Sequence, residues 1–188
     1  MRGENKHERT REETRPAAGE LNTNETARRY DIKLTKKSSF EEAILHYLEG
    51  DIQDGSLEFA SWLKASGLVP KQDGDPASWK IPYKDVCLCH IRFEPHYHFI
   101  FWLCDYSGEH DAGFIKAVQE HVQNCVTCNP HCPPGSDVTI FGKEFKNVCH
   151  ELTVQFENPD GGELEYIKQL LEYWKTAGHT SGSWHYRH

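Results

Sequence analysis

Apolar positions recur at two different periods along this chain, and the changes between them outline its elements. Residues 1–37 show no sustained period; their few apolar residues, Leu21, Tyr30, Ile32 and Leu34, are scattered among charges. Ser39 with Glu42 three residues on then forms a capping box, in which each side chain can satisfy the other's backbone N–H. Ile44, Leu45 and Leu48 give a helical stripe as far as Gly50, a stop signal. A second short helix is expected over 56–66, where Leu57, Ala60, Trp62 and Leu63 share a face and Gly67 follows. Residues 71–77, KQDGDPA, are all turn chemistry.

From Trp79 the period shortens to two. Residues 86–93 and 98–104 are rich in strand formers, and Glu94-Pro95-His96-Tyr97 between them predicts an antiparallel hairpin. Alternation puts Cys87, Cys89, Ile91 and Phe93 on one buried face with Phe99, Phe101 and Leu103 as partners. Leu88, Ile100 and Trp102 fall on the other face with His90, Arg92 and His98, so that face is only partly apolar. A helix follows over 109–124, with Phe114, Ile115, Val118 and Val122 inward. After a loop rich in Cys, Pro and Gly, residues 138–141 and 148–156 read as strands around a Gly142 turn. Asn158-Pro159-Asp160 caps a last helix to about Trp174, with Leu164, Ile167, Leu170 and Leu171 on its apolar side. The order α-α-β-β-α-β-β-α predicts an α+β fold: an antiparallel sheet of about four strands with helices packed on one face. The expected domain spans 38–177, between a charged, disordered or loosely docked tail at 1–37 and a frayed tail at 178–188.

Charge sharpens that division. Residues 1–37 carry ten Lys/Arg against seven Asp/Glu, whereas the rest carries eleven against twenty-two, a net of −11. The chain as a whole is at −8, which disfavours nucleic acid and anionic membranes as partners. The hydrophobic fraction of 37% is low, but five Trp, eight Tyr and nine Phe can build a core once the tail is set aside. No apolar run approaches the ~18 residues of a membrane span. The opening MRGENKHERTREETRP lacks the apolar stretch of a secretory signal. With seven Cys, an odd count, reduced thiols and a cytoplasmic location are expected.

The cysteines fall into two sets. Cys87, Cys89 and Cys104 lie in strands and read as small buried hydrophobes. Cys125 and Cys128 form a C-x2-C pair, with Cys132 close behind. Such spacing lets neighbouring thiolates take adjacent corners of a tetrahedron, with Cys149 as the expected fourth ligand to Zn²⁺. His121, His131 and His150 are alternates; His121 and Cys125 would share a face if the helix reached that far. A metal-free thiol cluster, a redox-active Cys125/Cys128 pair and an iron–sulfur cluster remain open. Four cysteines would make a closed, structural site. The zinc-protease pattern fails because Val154 stands where its second His belongs after His150-Glu151. The deaminase signature fails because no Pro precedes the C-x2-C pair.

No phosphate-binding loop, nucleophile elbow or dinucleotide fingerprint occurs. The expected function is therefore a zinc-binding, non-enzymatic domain with a protein or small-molecule partner. One alternative is a thiol- or metal-dependent sensor or redox enzyme using the same cluster. Another is a ligand site on the sheet face lined by His90, Arg92, His98 and Trp102, suited to an anionic or aromatic molecule.

Overall fold

A computed structural model describes residues 38–102, 106–126 and 133–176. Both terminal tails, Leu103, Cys104, Cys128, His131 and Cys132 lie outside the described residues. Among the described residues the fold is α+β, with four helices, a five-stranded antiparallel sheet and a two-stranded one. Helix α1, Phe40–Tyr47, starts on the capping box anticipated from sequence. Glu42 N donates to Ser39 Oγ at 3.1 Å, and Ser39 N donates to the Glu42 carboxylate at 2.7 Å. Helix α2, Gly50–Ala65, is longer than expected. Gly50 is its first residue rather than the stop of α1, and its φ of 59° supplies the bend between the two.

Strands β1, Lys71–Asp73, and β2, Asp75–Tyr83, occupy the stretch read as turn. The turn chemistry is real but condensed: Gly74 alone, at φ 76°, reverses the chain. Strands β3, Val86–Arg92, and β4, His98–Phe101, form the expected hairpin. The sheet order is β1-β2-β3-β4-β7, with β7 at Val154–Glu157. A register shift at Ile81/Pro82 pairs Pro82 with Cys87 and leaves an extra residue in β3. Cys87 therefore falls on the face of Lys80 and His90, opposite to Cys89, while Leu88 is fully buried. That reverses the expected sides of both residues.

Helix α3, Ala112–Glu120, is shorter than the pattern suggested. It ends at His121, and Val122 and Asn124 take isolated β-bridges to Val154 and Val148. The second sheet is β5, Ser136–Ile140, with β6, Lys143–Val148. The long strand expected over 148–156 is broken, because the chain leaves β6 at Val148 and re-enters sheet structure only at β7. Phe141 and Gly142, at φ 46° and 78°, make the β5–β6 turn. The unusual backbone of Phe141 is held by its ring, which lies against Tyr106, His110, Phe114 and Tyr173.

Helix α4, Gly161–Thr176, closes the fold with a second reciprocal cap between Asp160 and Glu163. It buries Leu164, Ile167, Leu170, Leu171 and Trp174. The core lies between one sheet face, with Trp79, Ile81, Ile91, Phe99 and Phe156, and the apolar sides of the helices. Phe59 of α2 meets Phe99 edge-on at 5.3 Å. Two buried hydroxyls in this layer satisfy each other, Ser56 Oγ donating to Tyr97 Oη at 3.1 Å.

Candidate functional site

The two sheets meet through residues 121–125, an extended segment with hydrogen bonds on both edges. On one edge Gln123 N donates to Thr153 O and Gln155 N to His121 O, each at 3.0 Å. On the other, Cys125 N donates to Asn147 O at 2.7 Å and Cys149 N to Gln123 O at 2.9 Å. Around the Asn124–Val148 bridge, Cys125 opposes Asn147 and Gln123 opposes Cys149. These four residues share one side of the ladder, so Cys125 and Cys149 are diagonal neighbours. Diagonal positions in such a pair are about 7–8 Å apart at the backbone, a gap that two Zn–S bonds of about 2.3 Å can bridge.

Asn147 organises this corner. Its φ of 53° is a left-handed conformation that Asn tolerates better than most residues. Its backbone oxygen takes the Cys125 N–H, its side-chain Nδ2 donates to Cys125 O at 2.9 Å, and its own N–H reaches Asp137 Oδ1 at 3.1 Å. Gly135 is pressed against it: a Cβ at Gly135 would stand 2.6 Å from the Asn147 carbonyl carbon. Close by, Cys125 Sγ lies 4.0 Å from Pro133 O. Cys149 is buried, at 7% exposure, and its carbonyl accepts the Thr153 hydroxyl at 3.0 Å. Neither Asn147 nor Gly135 stands out in the sequence, since their roles exist only once the two segments meet.

Of the histidine alternates, the two among the described residues are otherwise engaged. His121 places Nδ1 2.8 Å from Ala117 O and Nε2 3.1 Å from Glu163 Oε1, and its ring stacks on Phe156 at 4.2 Å. It ties α3 to α4 and does not share a helix face with Cys125. His150 Nε2 lies 2.6 Å from Ser136 Oγ. Among the described residues no group of three or more His, Cys, Asp or Glu is arranged to hold a metal; Cys128 and Cys132 are outside them. Of the strand thiols, Cys87 is half-buried and Cys89 fully buried. Burial pushes Cys87 up to about 11 and Cys89 well above the ordinary thiol range, so both stay protonated and unreactive near neutrality.

The predicted sheet-face residues also come together. Lys80 pairs with His90 and His90 with Ile100 in one cross-strand row; Ser78, Arg92, His98 and Glu157 form the next. The His90 ring meets Trp102 edge-on at 4.6 Å, and its Nδ1 lies 3.6 Å from the Asp73 carboxylate, which also binds Lys80 Nζ at 2.8 Å. Asp73 and Lys80 escaped the sequence reading because their stretch looked like a turn.

Burial holds both His90 and His98 below the ordinary histidine range, against the opposing pull of Asp73 and Glu157. Below the unfolded-chain value near 6.5 the unfolded state then binds protons that the fold refuses, so stability drops as pH falls. With a chelator present to remove metal effects, the unfolding midpoint should decline between about pH 7.5 and about pH 5.5. An H90N/H98N double variant should flatten that decline; an unchanged slope would assign it to other groups.

No protein-family profile, curated protein or solved structure matches the chain. No described helix is long and apolar enough to cross a membrane.

Proposed function

We propose that this chain is a non-enzymatic α+β domain in which Cys125, Cys128, Cys132 and Cys149 hold a structural Zn²⁺, and that it serves to bind a protein or small-molecule partner in the cytoplasm. The observation that carries the reading is the diagonal placement of Cys125 and Cys149 across the 123–125/147–149 ladder. The return of the chain supports it: Pro133 O lies against the Cys125 sulfur, and Cys132 directly precedes Pro133. Four thiolates leave no open coordination position, so the ion would brace rather than catalyse. It would tie residues 126–135, a stretch whose sequence has Val126 as its sole large apolar side chain, to the junction of the two sheets.

Elemental analysis of protein purified without a metal-affinity step tests this, paired with a free-thiol count before and after chelation. One zinc per chain is expected, with four thiols becoming reactive only when chelator is added, while the buried Cys89 stays silent before and after. Metal-free protein with every thiol accessible once unfolded and none protected would overturn the reading. Iron with acid-labile sulfide would overturn it in favour of an electron-transfer or sensing role.

A further inference from the structure

The body of the chain is acidic, yet the outward face of the large sheet carries Lys71, Lys80 and Arg92 in neighbouring rows. The carboxylates beside them have other partners: Asp73 is taken by Lys80 and His90, and Glu157 lies 3.7 Å from His96 Nδ1. Among the described residues Arg92, exposed at the end of β3, has no ion pair. It stands directly across from Ser78 on β2 and His98 on β4.

We propose that the Ser78–Arg92–His98 row is a receptor for a small oxyanion, a phosphate monoester or a carboxylate borne by an organic molecule. Three adjacent strands at about 4.8 Å spacing bring a hydroxyl, a guanidinium and an imidazole within about 10 Å on one face. Arg92 supplies the charge and a planar fork of donors matched to oxyanions. His98 supplies a need as well as a group. It is 9% exposed, and its buried Nδ1 has no hydrogen-bond partner. A buried polar atom left unpaired is costly, and a ligand oxygen at that nitrogen would relieve it.

Burial first, and then the neighbouring Arg92, lower the His98 ring below the ordinary histidine range, and the neutral form this favours has one ring nitrogen that donates and one that accepts. The rest of the ligand has a place to lie. Ile100 and then Trp102 follow His98 on the same face, giving an apolar track toward an aromatic ring. A polyanion would meet the acidic remainder of the body, whereas a single small oxyanion meets in this row one carboxylate, Glu157 at its far end, which faces His96. The inference does not rest on the zinc reading.

The test is an NMR titration of the full chain, ¹⁵N-labelled, with phenyl phosphate and separately with benzoate. The amides of Ser78, Arg92 and His98 and the indole of Trp102 should shift saturably, with a midpoint below about 1 mM for at least one probe. Saturation by phenyl phosphate alone assigns phosphate monoesters, and by benzoate alone carboxylates. R92Q, at an exposed position, should raise the midpoint at least tenfold with an otherwise superimposable spectrum. K71Q, on the same face but outside the row, should leave it unchanged. Shifts that stay linear for both probes to about 10 mM, or an R92Q that titrates like the parent, overturn the proposal.

Discussion

Phe99→Ala should lower the free energy of unfolding by about 3–5 kcal/mol. Phe99 is fully buried on β4, edge-on to Phe59 of α2 and to Tyr97, each at 5.3 Å, and cross-strand from Phe156 of β7 and Ile91 of β3. Truncation removes the transfer energy of the ring and leaves a cavity that strands on both sides prevent from collapsing. In a chain of this length the melting midpoint should fall by about 6–20 °C. Phe99→Leu, which refills much of the space, should lose no more than about half as much. Leu45→Ala is the contrasting control. Leu45 belongs to the helical stripe in the sequence but is 39% exposed, so its loss should cost no more than about 0.5 kcal/mol. Denaturant melts of the three variants check the ranking. Equal losses from Phe99→Ala and Leu45→Ala would mean that β4 is not central to the core.

Chelation should produce the second large effect. If zinc binds the folded chain alone and free zinc stands about 1,000-fold above its dissociation constant, the ion contributes about 4 kcal/mol. Removing it should then lower the melting midpoint by about 8–16 °C. C149S should melt at the lower temperature from the outset and show no response to chelator. C87S should retain the full response, because Cys87 sits on the outward face of the large sheet, away from the junction. A chelator shift of the same size in C149S as in the parent would remove Cys149 from the ligand set.

The helices were the most legible part of the chain. The Ser39/Glu42 and Asp160/Glu163 pairs both close in the structure, and Leu164, Ile167, Leu170 and Leu171 face inward as their spacing requires. The central hairpin was equally plain, since 86–92 and 98–101 are dense in strand formers. Strands β1 and β2 were hidden because Asp73, Gly74, Asp75 and Pro76 are turn residues wherever they occur, and only Gly74 is needed for the turn. The extra residue in β3 could not be read either; period-two alternation assumes an unbroken register, and one slip moved Cys87 and Leu88 to opposite sides. At the candidate metal site, Cys149 was singled out because its strand should return beside the cysteine loop, but the ladder that sets it diagonal to Cys125 could not be read from the sequence. Carrying helical periodicity through residue 124 pointed Cys125 toward His121 instead, whereas the helix stops at Glu120 and the chain goes on in extended form.

The segment 121–125 has a further consequence for how the molecule opens. It is gripped on both sides by one stretch of chain, through Asn147 and Cys149 on one edge and Thr153 and Gln155 on the other. Withdrawing it breaks both sets of hydrogen bonds together and parts the small sheet from β7. The amides of Gln123, Cys125, Cys149 and Gln155 should therefore open as one cooperative unit and share a single opening free energy in hydrogen exchange, although up to 32 positions separate them in sequence.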